Sequence, residues 1–204
     1  MEPIVNRVAE SDIVVYNLEE LWDGSPVVEF DLAPHLVEGL VLREKPFREA
    51  MKTHDWDQYR DQHVAVFCST DAIIPTWAAM LVASKLRGIA ASVASGRTAD
   101  LIRDHFVRAI EAEDWSEYEG AIVVIKGCGS KVVPANAYLL ATQKLQGVAR
   151  KLMYGEPCSS VPLWRKPKPK KEGATAQAAA PVGVKPAAVK PAGLPTKAGL
   201  PTKE

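Results

Sequence analysis

The stretch 63–77, HVAVFCSTDAIIPTW, decides how the chain is read. Val64 to Phe67 reads as a short apolar strand ending at Cys68, followed by a polar turn, Ser69-Thr70-Asp71, and an apolar helix marked by Pro75. The same order returns at 121–138, AIVVIKGCGSKVVPANAY, with a strand from Ile122 to Ile125, Cys128 in a glycine turn and a helix after Pro134. Asp55-Trp56 and Tyr59 precede the first strand much as Asp114-Trp115 and Tyr118 precede the second. Trp to Cys is 12 residues in one copy and 13 in the other; Cys to Pro is 7 and 6. The match predicts two equivalent strand–turn–helix units, each with a cysteine where its strand exits.

Working outward, KPFREAMKTHDW (45–56) reads as a helix with Pro46 in its first turn. Helix 75–86 carries Trp77, Ala78, Met80, Leu81, Val82, Ala83 and Leu86 around nearly its whole circumference, which predicts burial. Ile89 to Val93 is a strand weakened by alanines. Helix 99–112 places Leu101, Ile102, His105, Phe106, Ala109 and Ile110 on one face, and helix 135–152 has its stripe at Tyr138, Ala141, Leu145, Val148, Ala149 and Leu152. Upstream, Ile13 to Tyr16 and Val27 to Phe30 are expected as an edge strand pair, and residues 3–10 as a short helix after Pro3. Residues 34–42 fit neither pattern. Alternating strands and helices give an α/β fold: a small, mainly parallel three-layer sheet with helices on both faces.

The chain has 25 Lys/Arg and 25 Asp/Glu, but the balance is uneven. Residues 165–204 hold nine basic and two acidic residues, leaving 16 and 23 in residues 1–164. That C-terminal segment is rich in Lys, Pro and Ala, repeats GLPTK at 193–197 and 199–203, and has no aromatics. It cannot bury enough apolar surface to offset the entropy of ordering, so a disordered tail is expected. Without aromatics to stack on bases, it argues against nucleic acid as a partner. No stretch approaches the ~18 apolar residues of a membrane helix and no secretory signal opens the chain, so a cytoplasmic protein with reduced thiols is expected.

The chemistry rests on three cysteines, all read into turns: Cys68, Cys128 and Cys158. Were both repeat strands parallel members of one sheet, their carboxyl ends would share an edge, where open α/β sheets bind ligands. Three thiolates with Asp71 as a fourth ligand would complete a zinc site or hold an iron–sulfur cluster. Asp71 has a plainer reading as a helix cap or turn residue. Gly127 and Gly129 permit close approach of a ligand, while Lys126 and Glu156 accompany the thiols at short sequence distance. A cysteine-dependent sulfur-transfer or other thiol enzyme is the alternative, but none of the four histidines is well placed as a base: His63 begins its strand, at the edge opposite Cys68. A non-catalytic interaction domain with incidental cysteines is the third reading.

Five blocks, IVNRVAESDIV, EGLVLREKPFREAMKTHDW, VAVFCSTDAIIPTWAAMLVA, VVIKGCGSKVVPANAY and KLMYGEPCSSVPLW, resemble a bacterial family known as domain of unknown function twenty-four eighty. The resemblance covers roughly residues 1–165; the segment 89–100 departs from the pattern. The family is often encoded beside iron–sulfur cluster assembly genes. The resemblance therefore implies an accessory role in cluster assembly or metal handling, with assembly proteins as partners and Cys68, Cys128 and Cys158 as matching motif positions.

Overall fold

The computed structural model describes residues 13–167 apart from Cys128 and Ser130. The helix expected after Pro3 and the disorder expected beyond 167 lie outside the described residues. Within them the elements run β1 (Ile13–Asn17), β2 (Val27–Asp31), α1 (Glu44–Thr53), β3 (His63–Phe67), α2 (Thr76–Leu86), β4 (Ser92–Ser95), α3 (Thr98–Ala112), β5 (Ile122–Lys126), α4 (Ala135–Val148), β6 (Lys151–Tyr154) and β7 (Val161–Arg165).

The fold is α/β, and every strand pairing is parallel except that of β6 with β7. The strands do not share one sheet, however. They divide into β1-β5-β6-β7 and β2-β3-β4. The expected N-terminal strand pair is corrected with this: β1 lies beside β5, with Ile13 opposite Ile122, and β2 lies beside β3, with Val27 opposite His63. Each is an edge strand, but of a different sheet.

The repeat read from the sequence extends through both sheets. β3 and β5 are the central strands, each with an earlier strand on one side (β2, β1) and the next strand on the other (β4, β6). A matching aromatic set covers each. Phe30 lies 5.7 Å from Trp56 and 6.1 Å from Tyr59, between ring centroids. Tyr16 lies 5.2 Å from Trp115 and 5.5 Å from Tyr118. Both Phe30 and Tyr16 are the fourth residue of their strand, so the equivalence holds residue by residue.

Alternation along β3 sends its side chains to opposite faces. Val64 and Val66 join Phe47 and Met51 of α1 and Ala78, Val82 and Leu86 of α2 in one core. Ala65 packs with Ala94 and Leu101 on the other face, beneath α3. Further along α3, Phe106 and Ile110 enter the core of the second sheet with Leu145 of α4, Val123 and Ile125. Helix α3 thus serves both sheets, and Trp22 packs against both its contact regions.

Other sequence expectations change, the strand expected at Ile89 to Val93 lying instead at Ser92–Ser95. Helix 135–152 stops at Val148, and Lys151–Tyr154 is strand β6. The spacing of Leu145, Val148 and Leu152 continues a helical stripe, but the open edge of β5 offers Leu152 a buried ladder position instead. β7 was not foreseen; Pro162 sits on this outer strand, where a missing N–H is tolerated. Helix α2 is not buried all round: Ala78, Val82 and Leu86 are, while Met80 is 66% exposed.

Candidate functional site

β5 and β6 are adjacent and parallel, so the segments leaving their carboxyl ends begin side by side. One enters Gly127-Cys128-Gly129; the other enters Gly155-Glu156-Pro157-Cys158. Lys126 and Glu156 bridge these exits at 3.1 Å. Tyr138 of α4 donates its hydroxyl proton to Gly127 O at 2.5 Å, fixing the turn from below. Gly127 is buried, and a side chain there would collide with that hydroxyl, its first carbon lying 2.8 Å away. At Gly129 the same atom would stand 3.0 Å from Glu19 Oε1. Close approach accounts for Gly127, whereas at Gly129 the neighbour is the tip of the flexible Glu19 side chain, which can move aside. Cys158 is an exposed free thiol, and Cys128 lies outside the described residues.

Cys68 leaves β3, in the other sheet, so the single shared edge inferred from sequence does not exist. It is a free, half-buried thiol packed against the core between α1, α2 and β3. The turn after it is held by a residue the sequence did not flag. Asp31 accepts from Ser69 N at 2.9 Å, Ser69 Oγ at 2.6 Å and Ala33 N at 2.9 Å. Partial burial acts to raise the Asp31 pKa, but these donors outweigh it and hold the carboxyl below its usual range. Asp71 is exposed in the bend after Cys68, as the turn reading expected, and α2 opens at Pro75 without any side-chain cap, so only the capping reading of Asp71 fails. Among the described residues, neither Asp71, Cys68 nor Cys158 belongs to a group of three potential ligands.

With the fold and these turns in place, comparison with known families gives one result. The family described as "Protein of unknown function (DUF2480)" matches residues 2–166. The chain belongs to the DUF2480 family. Its match runs straight through 89–100, the segment that looked divergent, and stops near the end of β7. No curated protein and no solved structure matches the chain. The family fixes what the DUF2480 domain is, and leaves its activity to be argued from the site.

One DUF2480 cluster went unread in the sequence. His63, the first residue of β3 and 2% exposed, presents Nε2 to Asp23 Oδ1 at 3.0 Å and Nδ1 to Ser92 Oγ at 2.8 Å. His105 of α3 stands beside it, ring centroids 5.2 Å apart, and its Nε2 meets Leu21 O at 2.8 Å. Trp22 lies against both imidazoles, at 4.9 and 4.7 Å. For Asp23, burial again acts upward but is outweighed by hydrogen bonds from Ser25 and His63, which keep its pKa low. The Asp–His–Ser line resembles a nucleophile relay, yet so enclosed an imidazole could not meet a substrate. The available signal was a histidine at the head of an otherwise apolar central strand. No helix among the described residues is long and apolar enough to cross a membrane.

Proposed function

We propose that this DUF2480 protein is a metal-handling accessory protein whose thiol-bearing turns follow β5 and β6, serving iron–sulfur cluster assembly proteins as its partners. The observation that carries the reading is the side-by-side exit of those two strands, tied by Lys126 and Glu156. It supports a site built on Cys128 and Cys158, with Cys68 at the equivalent position of the other half. Thiolates favour soft ions, so zinc or iron, as an ion or within a cluster, fits this donor set better than magnesium or calcium. A carboxylate at Glu19 and another at Glu156 stand near the glycine turn and beside Cys158, respectively. A thiol enzyme is less well supported. His63 lies at the amino end of its strand, His35 and His54 pack against Phe30 and Trp56 in the first half, and His105 is bonded to Leu21 O, leaving the exposed Cys158 without a histidine base among these contacts.

The test is metal analysis and absorption spectroscopy of anaerobically purified full chain beside a Cys128→Ser/Cys158→Ser variant. Thiolate-bound metal, seen as iron–sulfur absorption or as a sulfur-to-metal charge-transfer band when cobalt replaces zinc, is expected in the parent chain and lost from the variant. A parent chain that shows no thiolate-bound metal, as purified or after reconstitution, would overturn the reading.

A further inference from the structure

We propose that Asp23, His63 and His105 form a second metal site, independent of the thiols, for a divalent transition metal of the zinc class. A ligand atom of each residue lies within 4.8 Å of the others, and this is the group among the described residues that meets that condition. Asp23 Oδ1 and His63 Nε2 are already 3.0 Å apart, close to the ~3.3 Å edge of a tetrahedron with bonds of about 2.0 Å. Two imidazoles and one carboxylate suit zinc, cobalt or nickel; magnesium and calcium favour all-oxygen sets.

In each ring one nitrogen bonds to a group outside the trio, as a metal-binding histidine requires. Leu21 O can only accept, so His105 Nε2 keeps its proton and the lone pair resides on Nδ1. Ser92 Oγ can either donate or accept, so it serves both tautomers of His63. Without metal, His63 Nε2–H donates to Asp23 and Nδ1 accepts from Ser92. With metal on Nε2, the proton moves to Nδ1 and donates to Ser92. Trp22 walls one side, and the Asp23 side chain, 48% exposed, gives the site an approach from solvent. The three residues come from the loop before β2, from β3 and from α3, so a bound ion would pin that loop and the β2-β3-β4 sheet to the helix that serves both sheets.

The experiment uses full-length chain without a polyhistidine tag, its three cysteines changed to serine, titrated with cobalt(II) and zinc(II) chloride. Expected are one ion per chain, the visible bands of tetrahedral cobalt and no sulfur charge-transfer band. Asp23→Asn, in an exposed loop, and His105→Gln should each weaken binding by at least about tenfold, the scale of losing even a supporting group. Absence of saturable binding to the folded chain overturns the proposal, as does binding that neither substitution weakens. Should the serine variant not fold, imidazole 15N shifts of the parent chain on adding zinc decide the matter: unchanged His63 and His105 signals overturn it. Because thiols are removed or read separately, failure here leaves the cysteine reading standing, and the converse also holds.

Discussion

Replacing Tyr16 with phenylalanine should stabilise the protein. Tyr16 is 4% exposed, and its hydroxyl is buried with no hydrogen-bond partner among the described residues; the same is true of Trp115 Nε1 beside it. Burial, reinforced by the charge of Glu113, pushes the phenol pKa far upward, so the group stays a neutral, desolvated O–H. Leaving such a hydroxyl unpaired costs about 1–3 kcal/mol. Its removal sacrifices only the few dispersion contacts of one oxygen. The net expectation is a gain of about 1 kcal/mol, or roughly 2–4 °C in Tm for a domain of this size. The repeat supplies an internal control: the matching position already holds Phe30, and the matching indole, Trp56, does have a partner, Met51 O at 3.0 Å. Urea unfolding of both chains, with equal slopes, measures the difference. A loss of about 1 kcal/mol or more would refute the reasoning, because it would mean that the hydroxyl makes a bond the fold depends on.

Two further outcomes follow from packing and charge. Leu145→Ala, at a fully buried position between α3, α4 and β5, should cost about 3–4 kcal/mol by urea unfolding, whereas Leu139→Ala on the same helix, 66% exposed, should change stability little. Burial, aided by nearby His54 and opposed by Asp31, lowers the His35 pKa below its usual 6.5. Above that pH both folded and unfolded chains hold it neutral and it contributes nothing. As pH falls below 6.5 the unfolded chain takes up the proton more readily, so stability drops until the folded-state pKa is passed. Unfolding midpoints measured from pH 7.5 to 5 should show a smaller acid loss in His35→Gln than in the parent; identical profiles would discount the effect.

The strand–turn–helix units around Cys68 and Cys128 were legible because their signals are local: short apolar runs, glycine turns and helical spacing. The repeated tryptophan and tyrosine were legible too, and they mark corresponding aromatic cores. Partner choice among strands was not. β1 and β2 are both brief apolar runs, and nothing in IVVYN or VVEFD tells which distant strand each will join. That choice is made by long-range packing, and with it went the inference that one sheet edge gathers all three thiols. The ending of α4 was misread for a related reason, since LMY is equally apolar in a helix or a ladder. The set of Asp23, His63 and His105 was invisible because its members come from a loop, a strand and a helix far apart in sequence. Each alone has an ordinary role.

The strand order has a bearing on how the chain is made. β1 belongs with β5, yet β2, β3 and β4 with their helices are all inserted between them, so one half of the repeat is nested inside the other. As the polypeptide emerges from the ribosome, the inner half can close on its own residues. β1, made before that inner half, must wait with its edge uncovered until β5 follows it.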